Sequence, residues 1–223
     1  MESYSDYCWY QDVCTKKTDT CMQCCIRYLE MKFLMDNSGI PKNRQMPAKL
    51  NAPNCDVDAF RRLSRIKDDI VPFVDAGKGL YIAGETTGNG KTTWAIKLMT
   101  KYFNDIWAGN GLNVRGLFIH IPTFLLKCKD FNNIDPEFEA MKKLIPEVDL
   151  VVWDDIASVN TSAYDYSQLL MYLDVRVSNG KSNIYTGNIV SKKALEDALG
   201  SKLTSRILGE NTEFIEFKGG DRR

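Results

Sequence analysis

The chain has almost no histidine, no excess of charge and no long apolar stretch. One histidine, His120, stands among 223 residues, which excludes any site built on a histidine pair or a histidine-rich metal cage. Lysine plus arginine and aspartate plus glutamate number 29 each, so the net charge is zero. A globally basic nucleic-acid binder is thereby excluded, but a local basic patch is not. No apolar run approaches the ~20 residues that span a bilayer. The first residues, MESYSDYCWY, carry neither the basic nor the apolar region of a secretion signal. These absences predict a cytoplasmic protein with no membrane partner. What is present, 44% hydrophobic and 26% charged residues, suffices for one sizeable core or a main domain with a small one.

Cysteine is unevenly placed. Cys8, Cys14, Cys21, Cys24 and Cys25 crowd the N-terminus, whereas Cys55 and Cys128 stand alone and have no assigned role. In a reducing compartment such a cluster points to metal or redox chemistry rather than to disulfides. Four thiolates satisfy tetrahedral zinc without histidine. Cys8, Cys14, Cys21 and Cys25, with Cys24 as the alternative to Cys25, supply that number. Two other readings compete: small apolar residues in a core, and a redox site.

Residues 21–38 predict a helix, with Met22, Ile26, Leu29 and Phe33 as its apolar stripe and Asn37-Ser38-Gly39 as its stop. Residues 41–55 hold three prolines and read as a linker. Residues 56–71 predict a short helix whose Arg61, Arg62 and Arg65 form a solvated basic face. From residue 79 onward, apolar runs alternate with helical stretches: strands at 80–83, 114–121, 149–153, 183–187 and 213–217, and one or two helices across ALEDALGSKLTSRIL. This alternation predicts an α/β fold with a parallel sheet covered on both faces. The expected division is an N-terminal cysteine-rich region with linker over 1–55 and a second domain over 56–223.

The sharpest motif is Gly84-Glu85-Thr86-Thr87-Gly88-Asn89-Gly90-Lys91-Thr92, between an apolar run and a helix. It fits the phosphate-loop pattern G-x-x-x-x-G-K-[ST] except that Glu85 holds the place of the first glycine and Gly84 comes one residue early. Such a loop turns backbone N–H groups toward a polyphosphate at a helix N-terminus. Gly88, Asn89, Gly90, Lys91, Thr92 and Thr93 form the nucleotide-binding set. Lys91 reaches the β- and γ-phosphates, and Thr92 binds Mg²⁺. The run Val151-Val152-Trp153 ends in Asp154 and Asp155. Acids at the C-terminal end of a buried parallel strand emerge at the ligand edge of the sheet. Asp154 would hold Mg²⁺, and Asp155 would act as the base that orients water. The next strand ends in Thr186-Gly187-Asn188, a polar tip that can reach the γ-phosphate. Arg206, farther on, has two readings: an arginine finger for a neighbour's nucleotide, or a surface ion pair.

Phosphate loop, acid pair, polar strand tip and then Ser205-Arg206, in that order, resemble the AAA+ ATPases. Together with CIRYLEMKFLMDNSGIPKNRQ and LYIAGETTGNGKTTWAIKLM, they look most like the DnaC/DnaI-type replicative helicase loaders, the phage-encoded type in particular. The resemblance implies an AAA+ P-loop fold without a C-terminal helical lid, since 17 residues follow Arg206. It makes Asn188 the sensor residue and Arg206 the finger acting in trans, with Arg176 on a helix that faces a neighbouring subunit. Asp155 stands where many AAA+ proteins have glutamate. The implied activity is Mg²⁺-dependent ATP hydrolysis stimulated by assembly. The implied partners are a hexameric replicative helicase, gripped by the zinc-like N-terminal region, and single-stranded DNA, for which Lys127, Lys129 and Phe131 are candidate contacts. The alternatives are a non-hydrolysing adaptor or inhibitor that binds the helicase, and a transposition-helper ATPase.

Overall fold

A computed structural model describes residues 8–10, 14–15, 24–46, 48–131, 135–157 and 162–221. Five strands form one parallel sheet: β1 (Gly79–Ala83), β2 (Gly116–His120), β3 (Leu150–Ile156), β4 (Ser182–Gly187) and β5 (Thr212–Glu216), in the order β2-β3-β4-β1-β5. Strands β1 and β4 are buried throughout, because helices cover both faces. The order places β4 between the strand that feeds the phosphate loop and the strand that carries the acids. The C-terminal tips of β1, β3 and β4 therefore open on one edge of the sheet.

One face packs against α2 (Val57–Asp68), α3 (Ile70–Asp75) and α4 (Lys91–Ile106). The other packs against α5 (Ile121–Cys128), α6 (Pro136–Leu144), α7 (Ala163–Ser178) and α8 (Lys192–Ile207). Local chemistry sets the helix starts. Asp135 accepts from the N–H groups of Glu137 and Phe138 ahead of α6, with Pro136 at its first position. Ser162 and Asp165 form a reciprocal capping box on α7. Gly200, with φ +78°, breaks α8 into two helical pieces, which accounts for the ambiguous count in the sequence.

Helix α1 (Ile26–Asp36) lies within the predicted 21–38, whose first three residues are outside the described ones, but its buried face differs from the expected stripe. Tyr28, Met31, Leu34 and Met35 point inward, whereas Ile26 and Leu29 are 69% and 42% exposed. The helix has two apolar stripes, and packing on α4 selects the one that periodicity did not single out. Tyr10, Met31, Leu34, Met35 and Ile40 join the core on the α4 face of the sheet. Just after α1, Ser38 O accepts from Phe118 N–H (2.6 Å), so the chain covers the exposed edge of β2. Gly39 makes that approach possible. Its φ is +77°, and a Cβ there would sit 2.8 Å from Phe118 O. The described residues of 41–56 contain two single turns of 3-10 helix, Lys42–Arg44 and Asn54–Asp56, and among them little else is regular.

Candidate functional site

The loop from β1 to α4 is built around glycine. Gly84 is buried, and a Cβ on it would collide with Asn89 Nδ2 and lie 2.8 Å from Phe217 O. Gly84 thus meets the steric demand that the motif assigns to its first glycine, with one extra residue before Gly90. Glu85 turns out to solvent and lines no part of the cleft. Gly88 and Gly90 take φ of +75° and +99°, which only glycine adopts cheaply. Gly90 is the N-cap of α4 and no side chain caps the helix, so its first N–H groups are available to an anion.

Lys91 is held by the loop itself. Its ammonium donates to Gly84 O (2.7 Å), Thr86 O (2.9 Å) and Asn89 Oδ1 (3.1 Å). Burial lowers its pKa, and the charges of Asp155 and Asp154 pull it partly back up. Asn89 is 1% exposed and its Nδ2 finds no partner among the described residues. A phosphate would replace acceptors that Lys91 already has, at little cost in desolvation.

Asp154, 5% exposed, sits between two hydroxyls. Thr92 Oγ1 and Thr186 Oγ1 each donate to its Oδ1 at 2.7 Å. Asp155 N–H donates to Thr186 Oγ1 at 3.0 Å. β3 runs on through both acids to Ile156, three residues past the predicted end. Asn188 is half-buried and lines the same cleft.

The cleft has a volume of about 1330 Å³, above the ~300–1,000 Å³ usual for small-ligand sites. Thr87 to Thr93, Asp154, Asp155, Thr186 and Asn188 line it, together with Tyr10, Arg27, Arg44, Met46 and Ala48 of the N-terminal segment and Ile96 and Lys97 of α4. Arg27, Arg44, Lys67, Lys91, Lys97 and Lys101 face it against two acids, so a chain of zero net charge concentrates cations here. These residues fit a nucleoside polyphosphate with Mg²⁺. Lys91 and the uncapped helix would take phosphate, and Thr92 and Asp154 would take the metal. The N-terminal wall and His120, at the tip of β2, were not singled out from the sequence. His120 was legible as a strand tip at the ligand edge; the wall was not, because long-range packing makes it.

Other predicted residues lie elsewhere. Arg206 is exposed, outside the cleft, and its Nε donates to Asp174 Oδ1 (2.6 Å). Arg176 does not face a neighbour. It is fully buried, donating to Ile145 O (2.6 Å), Val148 O (2.8 Å) and Asn183 Oδ1 (2.7 Å), and to Ser182 O. Burial lowers its pKa to about 10. Its role is to tie α7 to β4 and to the chain before β3. Lys127 and Lys129 pair with Asp135 (2.9 Å) and Asp165 (2.7 Å). Phe131 is 71% exposed, against the ring of Tyr164.

Around the cysteines, Cys14 N–H donates to Tyr10 O (2.8 Å). Burial raises the Tyr10 pKa, Arg27 opposes this, and Cys8 and Cys25 add smaller upward pushes, which places both near that ring. Cys24 is exposed, and Cys21 lies outside the described residues. Among the described residues no group of three or more cysteine, histidine or acidic side chains is arranged to hold a metal.

No protein-family model and no curated protein matches the sequence. Solved structures do share the fold. A DnaC helicase loader is similar at 20% identity and TM-score 0.63, over 76% of this chain and 94% of that one. DnaI is similar at 18% identity and TM-score 0.64, over 85% and 99%. The replication initiator DnaA, bound to AMPPCP and single-stranded DNA, is similar at 14% identity and TM-score 0.57, over 86% of this chain and 52% of that one. The five-stranded parallel sheet with helices on both faces is thus the fold shared by a DnaC helicase loader, DnaI and the replication initiator DnaA.

Proposed function

We propose that the chain is an ATP-dependent loader of a replicative helicase onto single-stranded DNA. The observation that carries the nucleotide part is the convergence of Lys91, Thr92, Asp154, Asp155 and Asn188 on one cation-rich cleft. The loader part rests on the likeness to DnaC and DnaI, which extends over nearly the full length of those chains.

When bound, Mg²⁺ would offset the phosphate charge. Lys91 neutralises phosphate from below the loop, Thr92 and Asp154 hold the metal, and Gly88, Asn89, Gly90 and Thr93 present backbone N–H groups. Asp155 orients the attacking water and can accept its proton, with Asn188 beside it. Arg206 from a second copy would add a further cation at the phosphate end of the cleft. Hydrolysis then reports assembly. The N-terminal region, with zinc held by Cys8, Cys14, Cys21 and Cys25 or Cys24, is the proposed grip on the helicase. Lys127, Lys129 and Phe131 are the proposed DNA contacts. The functional division at residue 55, the bacterial cytoplasm as location and a phage origin belong to the same proposal.

The test is ATP turnover by the full chain, alone and with a hexameric replicative helicase and single-stranded DNA, beside Lys91→Ala and Arg206→Ala. Turnover stimulated by the partners and lost in both variants, with nucleotide binding kept in Arg206→Ala, is the expected result. No turnover under any condition, with helicase binding unchanged in Lys91→Ala, would make the chain an adaptor. Metal analysis of the purified chain decides zinc, at one equivalent or none.

A further inference from the structure

The end of β3 departs from the rule that governs the rest of the strand. Side chains of a strand alternate between the two faces of its sheet. Leu150 and Val152 enter the core under α4, and Val151 and Trp153 enter the opposite one. Alternation sends Asp154 toward α4, where it meets Thr92. It would send Asp155 to the opposite face and Ile156 back toward α4. Ile156 instead lies in the same core as Trp153. The pairing with β4 steps from Trp153↔Tyr185 to Ile156↔Gly187, three residues against two. One residue is therefore inserted. Asp155 carries the insertion, with a φ of +62°, a region that aspartate enters more readily than most residues. The bulge has a functional consequence: both carboxylate residues line the cleft instead of facing opposite sides of the sheet.

Thr186 stands opposite the bulge, 1% exposed. Its single hydroxyl accepts from Asp155 N–H (3.0 Å) and donates to Asp154 Oδ1 (2.7 Å). It thus takes the place of a ladder bond that the inserted residue cannot make, and fixes the carboxylate next to it. We infer that Thr186 is a positioning residue: it clamps the β3 bulge and so holds Asp154 and Asp155 together at the metal and water positions of the cleft. This inference rests on the reading of the cleft as a Mg-ATP site.

The test compares Thr186→Val, which keeps the shape and removes the hydroxyl, with Thr186→Ser, which keeps the hydroxyl and removes the methyl. Three readouts are taken on the full chain: hydrogen exchange at the Asp155 amide, affinity for a fluorescent ATP analogue, and turnover with helicase and single-stranded DNA. In Thr186→Val the amide should exchange at least about tenfold faster. Turnover should fall about tenfold to a hundredfold, the scale of a misplaced reacting group, while nucleotide affinity changes less than about threefold, since the phosphate loop is untouched. Thr186→Ser should restore exchange and turnover. An unchanged amide in Thr186→Val overturns the clamp. A faster amide with unchanged turnover overturns the positioning role, as does a serine variant as impaired as valine. If the wild-type chain turns over no ATP, the reading of the cleft fails and the positioning role with it; the exchange rates still decide the clamp separately.

Discussion

Arg176 and Arg206 sit at opposite extremes of one helical layer. Arg176, on α7, has no exposed surface and meets five backbone or amide oxygens. Arg206, on α8, is held by one exposed aspartate from α7. A buried cation with satisfied donors is fixed by everything around it, and removing it leaves several acceptors without donors. An exposed ion pair is worth about 0–1 kcal/mol, so its arginine can be moved at small cost. A residue that must leave its own chain to complete a neighbour's site needs the second environment. The first builds the frame on which the cleft stands.

The largest effect should come from Arg206→Ala. Helicase- and DNA-stimulated turnover should drop about 10³-fold or more, as for loss of an arginine finger, with the melting temperature within about 4 °C of wild type. A turnover loss matched by unfolding would put Arg206 in the same class as Arg176 and break the comparison. Arg176→Met should do the reverse. Stability should fall by about 3–5 kcal/mol, the cost of breaking a buried charged network, or roughly 6–20 °C in melting temperature for a chain of this size. Turnover per folded molecule should stay close to wild type.

A third effect is smaller and depends on pH. Asp149, just ahead of β3, accepts from Arg115 and from Tyr102 OH (3.0 Å) and lies near Lys181. Burial alone would raise its pKa, but the bonds from Arg115 and Tyr102 and the charges of Arg115 and Lys181 outweigh burial and lower it. A carboxyl with a lowered folded pKa stabilises the fold above its unfolded pKa of ~3.9, and the gain is lost as pH falls through the folded value. Asp149→Asn should therefore destabilise by about 1–3 kcal/mol at pH 7. The gap to wild type should close below about pH 3. A gap that persists in acid would mean packing, not charge, holds this corner.

The sequence makes the cleft end of the sheet far more legible than the layer behind it. Strands β1, β3 and β4 are read from short runs that lead into Gly84, Asp154 and Thr186, and each signal is local. The phosphate loop is read from nine consecutive residues, and even its shifted glycine finds a local reason in Gly84. The bulge is not legible in the sequence, because the partner of the Asp155 N–H, Thr186, lies some thirty residues away. The burial of Arg176, which the resemblance places on a helix facing a neighbouring subunit, is hidden from the sequence for a similar reason. The arginine's partners lie on two distant stretches of chain, the segment before β3 and the start of β4. On α1, two apolar stripes were in competition, and only the docking surface of α4 distinguishes Tyr28, Met31, Leu34 and Met35 from Ile26 and Leu29.

The smallest expected effect sharpens the comparison most, because it separates a held finger from a free one. Asp174→Asn removes the charge that pairs with Arg206 and keeps the side chain's size. Both groups are more than a third exposed, so stability should change by under about 1 kcal/mol, at most about 4 °C. If the ion pair holds Arg206 back from a second copy, assembly need no longer break it. Partner-stimulated turnover should then rise by up to about fivefold, the factor that corresponds to 1 kcal/mol. The rise should shrink in high salt, which already screens the wild-type pair. A fall in turnover would instead mean that Asp174 aims Arg206 toward the neighbour's phosphate. In that case the exposed arginine is also fixed by its surroundings, and what separates it from Arg176 is which molecule receives its donors.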